Sequence, residues 1–426
     1  MTMAYHENQM TKEFKMTNAQ TPAASGAGLV ICTSSFVIRH FVGLALTICC
    51  LANSFAAEQP ASLKVSPLDV SFRNEIQRAI DKGLAWLQTK QDTNGFWSTA
   101  DHPAVTALAL TAFMGEPGGR YQTNSPEFIN KSFDFIAKCA QPDGSIHNKK
   151  GLANYNTATS MMALLAANRP EFDPAVRRAR AFLVSQQIDL GKKGEIDTPF
   201  DGGVGYGSKG DHSDMANTLL ALEALYYSRH LQNDQPSADA KDLNWKAAIH
   251  FIQSCQNLPS HNTQEWVSAN PKDRGGFVYY PGNSMAGGET NSATGRVALR
   301  SYGSISYAGM LSYIYANLNK NDPRVTAVFE WLRKNYTLDE NPGMGPQGMF
   351  FYFHTMTKAL ALYGVDDLEL GGGKKINWRK DLAMKLINCQ RTDGSWINEN
   401  GRWWERDPAL VTAYAVLTLE MIYRGM

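Results

Sequence analysis

An aliphatic residue, usually preceded by an aromatic one, recurs near the end of a helical stretch along this chain. The pairs are Trp86-Leu87, Phe135-Ile136, Phe182-Leu183, Phe251-Ile252 and Trp331-Leu332, with Leu386 holding the sixth position after Lys385. A turn follows, in which glycine stands two residues before a large apolar residue: Gly95-Phe96-Trp97, Gly144-Ser145-Ile146 and Gly394-Ser395-Trp396. Gly202-Gly203-Val204 and Gly275-Gly276-Phe277 are longer versions. Glycine ends a helix in a left-handed cap, and the apolar residue packs back on it.

A second helix then starts at Val105-Thr106-Ala107, Asn156-Thr157-Ala158, Asn217-Thr218-Leu219, Ser306-Tyr307-Ala308, His354-Thr355-Met356 and Val411-Thr412-Ala413. These second helices are Ala- and Leu-rich and apolar nearly all round, as in Ala221-Leu222-Glu223-Ala224-Leu225, so they are expected to be buried. The first helices carry charged faces such as Arg177, Arg178 and Arg180, so they are expected outside. One buried and one exposed helix per unit, six times over, predicts an all-α chain of two concentric layers. Closing that array into a ring removes the raw ends that an open solenoid must cap. The pattern predicts one toroid domain over 71–426, with a Gly-, Ser- and Asn-rich loop insertion at 257–302.

The N-terminal segment breaks this pattern. Arg39-His40 precedes an apolar run, Phe41 to Leu51, and a small-residue stretch ending in Ala56-Ala57. That arrangement predicts a leader with a signal peptide over 1–57 and a linker over 58–70, hence export to the periplasm or the medium. An N-terminal anchor helix is the alternative, although the run is short for a span. Of six cysteines, Cys32, Cys49 and Cys50 fall in the leader. Cys139, Cys255 and Cys389 share one register, three residues past the aliphatic, and are expected unpaired and buried in outer helices. The formal net charge of +1 gives no field favouring nucleic acid, and no cofactor motif or metal-ligand set is read.

Gln390-Arg391-Thr392-Asp393-Gly394-Ser395-Trp396 resembles the Gln-Trp repeat of squalene and oxidosqualene cyclases, and Lys90-Gln91-Asp92-Thr93-Asn94-Gly95-Phe96-Trp97 is similar. Looser forms build the beta subunits of protein prenyltransferases. The resemblance implies an α/α toroid with parallel inner helices around a central cavity, and an apolar, isoprenoid-type ligand. It does not bring the chemistry with it. In the nearest match to the cyclases' Asp-x-Asp-Asp motif, Asp211-His212-Ser213-Asp214, Ser213 stands where the proton donor belongs. Tyr352-Phe353-His354-Thr355 resembles the prenyltransferase segment bearing a zinc-binding histidine. Ser304-Ile305-Ser306-Tyr307 stands where Asp-x-Cys would be, and neither serine is a good zinc ligand.

In a closed ring the inner-helix starts share one mouth, with free N–H groups that favour anions. That mouth collects candidate catalytic residues Asp211, Asp214, His212, His354, Tyr302 and Tyr307, expected in one pocket under part of the 257–302 insertion. Candidate ligand contacts are Tyr155, Asn156, Asn217, Arg300, Tyr352 and Trp404. Helix capping is the competing role for Asp214 and Asn217. Three functions stay open on the sequence: an exported enzyme acting on an apolar isoprenoid, a toroid binding a ligand or protein without chemistry, and a carbohydrate-active enzyme of the lyase type.

Overall fold

The computed structural model describes residues 67–149, 151–208, 212–233 and 242–426. The leader and Asp211 lie outside the described residues. Helix α1 (Pro67–Lys90) begins within the expected linker. The chain continues through α2 (Pro103–Gly115), α3 (Glu127–Lys138), α4 (Ala153–Ala167), α5 (Asp173–Ser185), α6 (Met215–Tyr227) and α7 (Trp245–Ser254). Then come α8 (Gly303–Tyr315), α9 (Pro323–Lys334), α10 (Met349–Tyr363), α11 (Trp378–Cys389) and α12 (Pro408–Arg424). Two short antiparallel hairpins interrupt them, β1 (Gly288–Thr290) with β2 (Val297–Leu299), inside the insertion, and β3 (Asp367–Glu369) with β4 (Lys375–Asn377).

The even-numbered helices form the inner layer. Each packs on the next, and α12 packs on α2, which closes the ring; the odd-numbered helices pack outside them. Composition decides the layer. Every residue of α8 is buried, as the all-round apolar pattern requires. In α3 only the stripe Ile129, Ser132, Phe133, Phe135 and Ile136 is buried.

One local geometry repeats between outer and inner helices. Gly95, Gly144, Gly202, Gly275 and Gly394 all have φ between +89° and +102°. Each lies against a backbone carbonyl of the next outer helix, those of Lys131, Arg178, Ala247, Ala327 and Lys82 respectively, where a side chain has no room. The residue two places on then ties the turn to the inner helix. The N–H groups of Trp97, Ile146, Val204, Phe277 and Trp396 donate to the hydroxyls of Thr106, Thr157, Thr218, Ser306 and Thr412 at 2.9–3.1 Å. Glutamine ties the turn sideways. Gln91, Gln256 and Gln390 donate to carbonyls of Phe128, Arg324 and Ala79 in the following outer helix, and Gln187 to that of Asn244 just before α7. Trp97 and Trp396 donate from Nε1 to the carbonyls of Leu87 and Leu386 in their own outer helices. The glutamine and tryptophan of the repeat are therefore structural. The turn before α10 departs from this scheme and uses a bridge between Asn341 and Gly345.

One expectation is corrected. Cys139 and Cys255 are unpaired and buried, but Cys389 is exposed. After α3 and α7 the turn folds back through an isolated bridge, so that the N–H groups of His147 and Val278 reach the carbonyls of Cys139 and Cys255. No such bridge among the described residues roofs Cys389. Alkylation of the native protein, mapped by peptide mass spectrometry, should modify Cys389, and should reach Cys139 and Cys255 only after denaturation.

The turn that closes the ring leaves no room for a side chain. Gly394 has φ +95° and sits where a Cβ would come within 2.6 Å of the Lys82 oxygen. Gly394→Ala should destabilise the fold by about 2 kcal/mol or more in urea unfolding, against about 1 kcal/mol for Gln390→Ala. Equal, negligible losses would show that the closure is not under this constraint.

Candidate functional site

The inner helices start at one end of the ring, and their first N–H groups are already occupied. Asn156 Oδ1 accepts from Ala104 N at 3.2 Å, so the second unit caps the first unit's inner helix. Met215 N donates to the Tyr279 carbonyl, Gly303 N to that of Pro342, and Ser304 N to Asn341 Oδ1. Glu405 Oε1 accepts from both Phe350 N and Phe351 N, while its Oε2 accepts from Asn398. Asp407 caps α12 through Ala409 N at 2.8 Å. The expectation of free N–H groups offered to an anion is therefore corrected, because the protein's own side chains and carbonyls consume them.

Asp214 takes part in this capping. It is fully buried, accepts from Asn217 N at 2.9 Å and from Asn217 Nδ2 at 2.7 Å, and also accepts from Tyr279. Burial pushes its carboxyl up to about 6, against the pull of those hydrogen bonds. Tyr279 continues to Tyr206, hydroxyl to hydroxyl, at 2.9 Å. His212 lies 4.1 Å, ring to ring, from Tyr280. Tyr302 is buried directly before α8; Tyr307 is buried 5.7 Å from the Tyr352 ring, and Tyr352 donates to the Thr337 carbonyl. Arg300 stays half exposed in an ion pair with Glu289, and Trp404 is exposed with its ring 5.1 Å from His102. The insertion covers the starts of α6 and α8 through Tyr279 and Phe277.

Toward the other end, five inner helices enclose a cavity of about 1050 Å³, counted out to its open mouth. Leu108, Met114, Met162, Leu219, Phe351 and Leu417 make most of its wall, with Tyr155 and Tyr414 hydrogen-bonded to each other toward its floor. Of the five described residues expected to share one pocket, His354 alone lines this cavity; of the expected ligand contacts, Tyr155 does. Burial first, then Lys358 one turn away, hold the His354 imidazole well below its usual range, so it is neutral. Its ring lies 5.3 Å from that of Tyr414.

Four charged side chains on otherwise apolar helices line the same space. Lys358 donates to Glu223 Oε1 at 2.5 Å, and the Tyr315 hydroxyl donates to the same oxygen at 3.1 Å. Glu420 and Arg424 stand toward the C-terminal end of α12. Sequence reasoning passed over Glu223, Lys358 and Glu420. The available signal was charge within a helix that has no exposed face to carry it.

No protein-family model matches the chain. Among solved structures it is similar to a type II terpene cyclase from Scytonema, with TM-score 0.50 and 11% identity over 84% of this chain and 99% of that one. The chain has the α/α toroid fold. The same cyclase in complex with geranylgeranyl dihydroxybenzoate gives TM-score 0.48 to 0.49; for the 0.49 structure identity is 10%, over 84% and 100% of the two chains. A glycoside hydrolase family 76 mannosidase from Bacteroides thetaiotaomicron gives 0.49 at 11% identity, over 81% and 98%. At such identities the toroid is what is shared. Within it, Ser213 donates to the Phe200 carbonyl at 2.6 Å, and Ser306 bonds Phe277 N and the Tyr302 carbonyl. Both serines are thus held in structural hydrogen bonds.

Asp214 gives a measurable consequence. Its carboxyl titrates near 6 in the folded chain and near its ordinary 3.8 when unfolded. The native state therefore favours the protonated form. The associated stability is fully present below about pH 4 and is lost by about pH 6, a change of up to about 3 kcal/mol. Asp214→Asn should remove this slope in urea unfolding between pH 4 and 6.5, because Asn217 can turn its unpartnered Oδ1 toward the new amide. An unchanged slope would show that the titrating group is another.

Proposed function

We propose that this toroid is an exported protein that binds an apolar, isoprenoid-type small molecule in its central cavity. One observation carries the reading: five buried helices of a closed ring line a mostly aliphatic and aromatic cavity, with a few charged groups on its wall. Mostly apolar walls with few convergent polar groups are the ordinary form of sites that hold small organic ligands. Apolar walls this extensive suit a hydrocarbon skeleton better than a sugar, whose hydroxyls would go unpaired against Leu108, Met162 and Leu417. The Phe41–Leu51 run after Arg39-His40 supports export.

Thr159 stands midway along α4 on the cavity wall, its hydroxyl bonded back to the Tyr155 carbonyl. Thr159→Phe should fill the space while α4 stays folded. Solvent extraction of purified protein followed by untargeted mass spectrometry should recover a lipid-like compound from the wild type and at least about tenfold less from the variant. Recovery of bound oligosaccharide, or of the same lipid at equal yield from both proteins, would overturn the reading.

A further inference from the structure

Glu420 is set apart from every other buried carboxylate among the described residues. Asp201, Asp214, Asp273, Glu116, Glu223 and Glu405 each accept hydrogen bonds from named donors. Glu420 is 1% exposed, lines the cavity, and neither of its carboxyl oxygens has a hydrogen-bond partner. A carboxyl group buried against hydrocarbon with no partner is costly, and more so when ionised. Such a group calls for an explanation outside the fold.

Its surroundings limit what it can meet. Arg424, one turn on, holds Nη2 at 3.9 Å from Glu420 Oε2, beyond hydrogen-bond reach, and donates to the Gly115 carbonyl. Glu116, just past the end of α2, adds like charge and is itself paired with Arg120. Burial outweighs Arg424 and holds the Glu420 carboxyl well above the usual carboxylate range. In its protonated form, which burial favours, this carboxyl carries an O–H donor beside Gly115 on the cavity wall with no acceptor of the protein's own.

We propose that Glu420 is the polar anchor of the cavity's ligand: its carboxyl group donates a hydrogen bond to an uncharged oxygen, a hydroxyl or carbonyl, at one end of an otherwise apolar molecule. This rests on the cavity being a ligand site and narrows the ligand to a long-chain or isoprenoid alcohol, aldehyde or ketone. A bare hydrocarbon leaves the donor unmet. A cationic head would need Glu420 ionised and would approach Arg424. An anionic head would meet Glu420 and Glu223, while both nearby cations are already engaged.

The test uses the full chain with geranylgeraniol, a saturated C20 hydrocarbon and geranylgeranylamine as probes, their binding measured by titration calorimetry. Glu420→Gln keeps an uncharged donor; Glu420→Leu keeps the bulk and removes it. The alcohol should bind wild type more tightly than the hydrocarbon does. Glu420→Leu should lose about tenfold for the alcohol and nothing for the hydrocarbon, while Glu420→Gln stays within about threefold. Because the protonated acid is the donor, wild-type affinity for the alcohol should fall as pH rises through the Glu420 titration, and Glu420→Gln should show no such fall. Glu420→Leu should also melt higher than wild type, since it replaces an unpartnered buried acid by hydrocarbon. Preference for the amine, strengthening with pH, would overturn the proposal, as would equal alcohol affinity in all three proteins. If probes bind, are excluded by Thr159→Phe and ignore Glu420, this proposal alone falls. If no probe binds wild type, the cavity reading falls with it.

Discussion

The ring depends on a backbone-to-backbone contact between its turns, all but the one before α10, and the next outer helix. A turn glycine at positive φ removes the one atom that would keep the two chains apart, and a carbonyl of the neighbouring helix occupies the space. Once the chains lie that close, nearby polar groups must be satisfied in place. The glutamine amide reaches a neighbouring carbonyl, the apolar residue's N–H reaches a threonine or serine on the inner helix, and the indole N–H returns to its own outer helix. Each unit is thereby fixed both to its neighbour and to its own inner helix. Gly394 against Lys82, with Gln390 on Ala79, applies the same contact across the join between the last turn and the first helix. The array needs no capping repeat because its last unit meets its first as any other pair meets.

This much was legible in the sequence, because it is written in a repeated register. The glycine, the apolar residue after it and the hydroxyl on the following helix recur at comparable places. The breaks were legible too, as departures in spacing. Cys389 shows the limit. It shares the register of Cys139 and Cys255, yet its burial is decided by whether the next turn folds back over it, which register does not encode.

The cavity was less legible for a definite reason. Polar residues cluster at the inner-helix starts, and a cluster of Asp, Asn, Glu and His resembles a site. The same residue types cap helices, and here Asp214, Asn156, Glu405 and Asp407 spend their oxygens on backbone N–H groups. The informative residues were few and scattered along apolar helices. Leu108, Thr111 and Met114 share one face of α2 at intervals of three, as do Tyr414, Leu417 and Glu420 on α12. In a helix buried on all sides, the face turned toward a cavity has the same composition as the faces turned toward neighbouring helices. Only a charge gives it away, and Glu223 within Ala221-Leu222-Glu223-Ala224-Leu225 is such a charge.

The two ends of the ring differ for a topological reason. The segments leading from outer to inner helices, 91–102, 139–152, 186–214, 255–302, 335–348 and 390–407, are generally longer than those leading back out. Long segments carry enough backbone carbonyls and side chains to cap every inner helix and to close over the starts of the ring, as Tyr279, Asn341 and Glu405 do. At the opposite end the returning connections are of mixed length, and one of them, 116–126, borders the space between the inner helices through Gln122, beside Gly115 and Arg424. Helix C-termini present carbonyls, which accept hydrogen bonds and donate none. A ligand entering from that end therefore meets acceptors from the backbone, and its hydrogen-bond donors must come from side chains. On that wall Lys358 is committed to Glu223 and Arg424 to Gly115, while the carboxyl of Glu420 and Nδ1 of His354 are left with no partner in the protein.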